Sequence, residues 1–158
     1  MLTGCAPNVP VMTKTTPTRD RTPTLISIRV ITDDVPRLVS FYEQVTGAPV
    51  QWATPDFAEL RTPAGTLAIG STRTVALFAT GSARPADNHT AIIEFLVHDV
   101  DAEYTRLQDV LGDVGGDFVN EPTTMPWGNR SLLFRDPDGN LVNYFTPVTP
   151  EAIAKFGS

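Results

Sequence analysis

The chain has 158 residues, 41% of them hydrophobic and 19% charged, which is globular rather than disordered composition, enough for one domain or two small fused modules. A formal net charge of -6 speaks against general binding of nucleic acid or anionic membranes, because phosphate-rich partners would be repelled. The single cysteine, Cys5, excludes an intramolecular disulfide framework and fits the reducing cytoplasm, where the protein is expected to reside. No apolar run reaches the roughly 18 residues of a membrane span.

Residues 1–24 are rich in Thr, Pro, Arg and Asn and lack a hydrophobic period, so they read as a flexible N-terminal arm. Within it Leu2 to Cys5 has the look of a lipoprotein cleavage box, but only Met1 precedes it and the apolar region of a signal peptide is missing. Met12 is an alternative start.

An internal repeat organises the rest. The segment 28–35 (IRVITDDV) resembles 93–100 (IEFLVHDV) at an offset of 65 residues. Each copy reads as an apolar strand, an Asp, an amphipathic helix and a Gly. Asp34 and Asp99 suit N-caps, whose carboxylates accept from free helix-start amides. Val35, Leu38, Phe41, Tyr42 and Val45 recur at helical spacing, as do Val100, Tyr104, Leu107 and Leu111. Gly47 and Gly112 suit left-handed C-terminal caps. Strand signals follow at 50–53, 57–61 and 66–70 in the first copy and at 117–120, 130–135 and 141–146 in the second. A tight turn is predicted at Asp136-Pro137-Asp138-Gly139-Asn140. The expected organisation is α+β: a βαβββ module over 25–78, a linker over 79–88, a second module over 89–148, and a short C-terminal helix and tail over 149–158, with Thr149 as its cap.

This pattern resembles the vicinal oxygen chelate superfamily of glyoxalase I, extradiol dioxygenases and bleomycin-resistance proteins. The residues that carry the resemblance are Asp34-Val35, Phe41-Tyr42 and Gly47, the second Asp99-Val100 copy, and Phe134 to Leu141. It implies two tandem βαβββ modules forming a curved mixed sheet around a cavity, and commonly a homodimer. Metal-dependent members place His, Gln or Glu at four cavity-facing strand positions. Here those positions fall on Ser27, Ala68, Ile92 and Asn143. Such a set lacks the imidazole and carboxylate groups that zinc, iron or manganese require, so neither a metal nor another cofactor is expected. His89 and His98 have no metal-ligand spacing and read as loop or surface residues.

Strand alternation assigns the cavity lining. It points to Ser27, Arg29, Phe57, Glu59, Arg61, Ile92, Glu94, Asn143 and Phe145, with Asn129, Ser131 and Leu133 behind them. Trp52 and Trp127 are further candidates, either as pocket walls or as core. Arg29 and Glu94 occupy equivalent repeat positions with opposite charge, which suggests an ion pair on the cavity floor. The favoured function is metal-free binding of a small organic molecule or antibiotic, similar to bleomycin-resistance proteins. The alternatives are a lyase, isomerase, hydrolase or dioxygenase-like enzyme, using Glu94 or Glu59 as general base or a metal at an unusual site, and a regulatory interaction module.

Overall fold

The computed structural model describes residues 23–156, so most of the expected arm and the last two residues lie outside the described part. The first module contains β1 (Ser27–Thr32), α1 (Val35–Thr46), β2 (Gln51–Thr54), β3 (Phe57–Arg61) and β4 (Thr66–Ser71), followed by a short helix α2 (Thr72–Ala76). The second contains β5 (Ile92–Leu96), α3 (Val100–Gln108), β6 (Asp117–Phe118), β7 (Thr123–Thr124), β8 (Asn129–Arg135) and β9 (Leu141–Pro147). A last helix, α4 (Pro150–Phe156), ends the described chain. The sheets have the orders β1-β4-β3-β2 and β5-β9-β8-β6, with β7 also pairing with β8. In each, the first strand of the module runs parallel to the last. The fold is therefore mixed α+β with one repeated topology and no closed barrel.

The local signals act as their chemistry dictates. Asp34 accepts from the Arg37 amide at 3.0 Å, and Asp99 from the amides of Asp101 and Ala102. Gly47 closes α1 in the left-handed conformation, φ +68°. The expected twin at Gly112 is a correction. Helix α3 stops at Gln108, and the chain proceeds through turns to Gly115, which takes the left-handed φ of +80° instead. The reason is packing: Leu111 turns into the core, and Gly116 passes so close to Leu111, Phe41 and the Arg135 carbonyl that no side chain fits there.

One hydrophobic core spans both modules. Helix α1 contributes Leu38, Phe41, Tyr42 and Val45, all fully buried, each stabilising by about 1.5–3 kcal/mol on burial. The modules are locked by polar contacts as well. Tyr42 Oη donates to Asp136 Oδ2 at 2.9 Å, and Arg37 pairs with Asp138. Tyr144 Oη donates to the Val45 carbonyl at 2.8 Å, while Arg106 donates to the Gln44 carbonyl at 3.1 Å, serving carbonyls that the end of α1 leaves free. The Asp136–Asn140 turn is thus the joint between the modules.

Candidate functional site

On both sheets one face carries the core and the other carries the candidate residues. Ala58 and Leu60 of β3, Leu132 and Phe134 of β8, and Val142 and Tyr144 of β9 are buried in the core. Their neighbours, Phe57, Glu59, Arg61, Asn129, Ser131, Leu133, Asn143 and Phe145, point to the opposite face, as period-two alternation requires.

In the first module this face is self-paired. Arg61 donates to Glu59 Oε2 through Nε at 3.1 Å and Nη2 at 2.5 Å. Arg29 lies over the Phe57 ring, 4.7 Å from guanidinium carbon to centroid. Trp52 does not join them. It pairs across the ladder with Ala58, and directly paired residues share a face, so Trp52 belongs to the Ala58 side.

The second module brings more of the candidates together. Glu94 and Asn143 stand opposite each other in the β5–β9 ladder, and Asn143 Nδ2 donates to Glu94 Oε1 at 2.9 Å. A cavity of about 490 Å³ lies over this face, lined by Glu94, Trp127, Asn129 and Phe145 and by Lys155 and Phe156 of α4. The α4 wall was not legible in the sequence as part of a site. It is set by Gly128: the φ of +90° there turns the chain so that Trp127 projects, and its amide donates to the Met125 carbonyl. The Gly128 carbonyl in turn accepts from the amides of Val148 and Thr149, and Thr149 caps α4 through Ala152 N. Phe156 then meets Phe145 edge to face, with centroids 5.1 Å apart. Among the described residues three buried side-chain oxygens have no hydrogen-bond partner: Asn129 Oδ1 and Asn143 Oδ1 on this face, and Asp138 Oδ2 in the turn on the other.

The expected Arg29–Glu94 ion pair does not form. No ion pair among the described residues joins them, since Arg29 stacks on Phe57 and Glu94 accepts from Asn143. Their strands belong to separate sheets, with a second cavity of about 250 Å³ between β1 and β5, lined by Ser27, Ile28, Ile92 and Glu94 among others. Each charge finds a nearer partner on its own sheet.

The four family metal positions offer no fit for a divalent ion. Ala68 is buried and has no donor, and its ladder partner is Arg29, a cation. Asn143 spends its amide nitrogen on Glu94, while Ser27 and Ile92 lie two residues earlier on their strands than Arg29 and Glu94, the ladder partners of Ala68 and Asn143. Among the described residues no group of three or more His, Cys, Asp or Glu stands together. Nor is any helix there long and apolar enough to cross a membrane.

The family model of the Glyoxalase/Bleomycin resistance protein/Dioxygenase superfamily matches residues 24–144. The chain belongs to that superfamily. It is similar to the uncharacterized protein YraH of Bacillus subtilis (strain 168), at 27% identity over 127 residues covering 77% of this chain and 96% of YraH. Its fold is also that of a glyoxalase/bleomycin resistance protein/dioxygenase from Nocardioides (23% identity, TM-score 0.64, covering 82% of this chain and 86% of the other). A glyoxalase-related enzyme from Fulvimarina pelagi superposes with TM-score 0.66 at 17% identity, over 82% of this chain and 95% of the other. At these identities the two structures speak to fold alone.

Proposed function

We propose that this superfamily member binds a small organic molecule in the cavity between the second sheet and α4, without the family's metal. One observation carries the reading: aromatic walls from Trp127, Phe145 and Phe156 surround a few polar groups, Glu94 and Asn129, in a space of ligand size. The enzyme reading has less support, because Glu59 is engaged by Arg61 and Glu94 by Asn143. The protein is further proposed to act as a homodimer. Leu25, Ile26 and Ile28 beside β1 and Ile92 and Leu96 on β5 are exposed apolar side chains on strands that end their sheets, and such edges favour a covering partner.

Native mass spectrometry with elemental analysis, on protein purified without chelators and then exposed to nickel, zinc, manganese and iron, tests this reading. The expected result is a dimer without stoichiometric metal. Small aromatic compounds should quench tryptophan fluorescence saturably, and Trp127→Phe should remove that response while Trp52→Phe leaves it. A stoichiometric metal would overturn the metal-free reading, and the absence of any saturable ligand across a broad aromatic screen would overturn the binding reading.

A further inference from the structure

The cavity under α4 carries two carboxylates and one buried, unpartnered amide oxygen against a single cation. The Asn143 amide is oriented by its neighbour: Nδ2 must face Glu94 Oε1, so Oδ1 points away and stays unpartnered. Asn129 Oδ1 is unpartnered too, and both asparagines are 8% exposed; Asn129 lines the cavity itself, and Asn143 lies behind Glu94 in the ladder. Buried polar atoms are ordinarily paired, and an acceptor left alone carries an unmet desolvation cost that an incoming N–H donor would relieve. Glu94 adds a carboxylate open to solvent, and Glu151 on α4 adds another to the wall. The one cation on the lining is Lys155, so the walls carry one excess negative charge. Its Nζ sits over the Phe156 ring, 5.0 Å from the centroid. The chain thus already places an ammonium against the aromatic wall of this cavity.

Resting on the binding reading above, we propose that the cavity takes an organic amine, with an ammonium bearing N–H donors on an apolar or aromatic body. The ammonium contacts Glu94 and supplies the donor missing at Asn129 Oδ1, and the body packs against Phe145, Phe156 and Trp127. Lys155 is the internal competitor that the ligand displaces. Asn129 Oδ1 is out of contact with water in the unliganded chain, so a donor reaching it requires the side chain to turn towards the cavity. The Glu94 charge acts on the ammonium, with Glu151 on the same wall, which is why a cationic head is favoured over a neutral or anionic one.

The test uses three probes with one body and different heads: 2-phenylethylamine, 2-phenylethanol and phenylacetate, titrated by tryptophan fluorescence and by calorimetry. The amine should bind about tenfold more tightly than either of the others, a difference of the size that a partly desolvated ion contact supplies. Glu94→Gln keeps the acceptor for Asn143 and should lower the amine's affinity towards that of the alcohol, leaving the alcohol's unchanged. Lys155→Ala, at an exposed position outside the core, should tighten the amine several-fold by removing the competitor. Equal or tighter binding of the alcohol or of phenylacetate would overturn the amine assignment while leaving the binding site standing. Absence of amine binding in both the parent and Lys155→Ala would overturn the assignment as well, and the wider aromatic screen then decides the binding reading separately. Weaker amine binding in Lys155→Ala would remove the competitor role.

Discussion

Strands β8 and β9 bear two buried polar clusters, one on each side of the second sheet, and Asp136 in one is satisfied where Asn129 and Asn143 in the other are not, although Asp138 Oδ2 beside Asp136 is also without a partner. At the turn joining the strands, on the side of α1, Asp136 accepts from Tyr42 Oη, Asn140 Nδ2 and the amides of Asp138 and Asn140, all between 2.8 and 3.0 Å. On the other face Asn129 Oδ1 and Asn143 Oδ1 accept nothing. Saturation marks a group that serves the fold, whereas an unmet acceptor beside a cavity marks a group that serves a ligand. The family's recurrent turn motif is accordingly structural in this chain: it welds the first helix to the second module.

The sharpest way to break that contrast is Asp136→Ala. It leaves the Tyr42 hydroxyl and the Asn140 side chain without their acceptor and frees the turn amides, and should cost about 4 kcal/mol, more than one lost bond because several donors stay buried. Urea unfolding should show a much lower midpoint with an unchanged slope. A loss under about 1 kcal/mol would mean that the joint is not structural.

Gly128→Ala comes next, because it attacks the other side of the sheet through its scaffold. An added Cβ would lie 2.1 Å from Thr149 Oγ1, and φ is +90°, a conformation that L side chains rarely adopt. A loss of about 2 kcal/mol is expected, with a shift in tryptophan emission as Trp127 leaves its place. Binding of the aromatic probes should fall further than stability does, since α4 and Trp127 share this turn.

Tyr42→Phe is smaller at neutral pH and more informative in alkali. Losing the bond to the Asp136 carboxyl should cost about 1.5 kcal/mol. Burial, and then the nearby Asp136, push the Tyr42 hydroxyl well above its ordinary range, and burial also raises Tyr144. Above about pH 10 the unfolded chain releases these protons while the native state keeps them, so the native state binds more protons and stability falls as pH rises. The stability curve of Tyr42→Phe should therefore fall less steeply above that pH. An identical alkaline slope in the parent and the variant would exclude Tyr42 as a source of it.

Much of the fold was legible because its signals are local. The Asp34 and Asp99 caps, the Gly47 end and the Asp136–Asn140 turn each act within a few residues. Face assignment on β3, β8 and β9 also held, since alternation is a property of a single strand. What stayed hidden depends on pairing between strands or on packing between segments. Trp52 lies on the Ala58 side because of the β2–β3 register, which an irregularity between Trp52 and Thr54 then shifts. Gly112 lost its cap to Gly115 because Leu111 had to reach the core. The repeat aligned Arg29 with Glu94 but could not show that β1 and β5 end separate sheets, with a cavity between them. The short helix α2 falls between the predicted strand at 66–70 and the linker at 79–88 and was given no element, and α4 was found as a helix but not as a wall of the site.

Asn129→Leu is the smallest expected effect and the complement of Asp136→Ala. The substitution swaps a buried acceptor without a donor for an apolar group of similar length, so no bond to Oδ1 is lost and its desolvation cost is relieved. Stability should change by less than about 1 kcal/mol, in either direction, with a gain as readily as a loss. Binding should move independently: the cavity keeps its aromatic walls, but the acceptor beside Glu94 is gone. A stability loss above about 2 kcal/mol would show that Oδ1 has a structural partner after all, such as an ordered water, and the two sides of the sheet would then be alike. Unchanged stability with weakened binding would confine the role of Asn129 to the ligand.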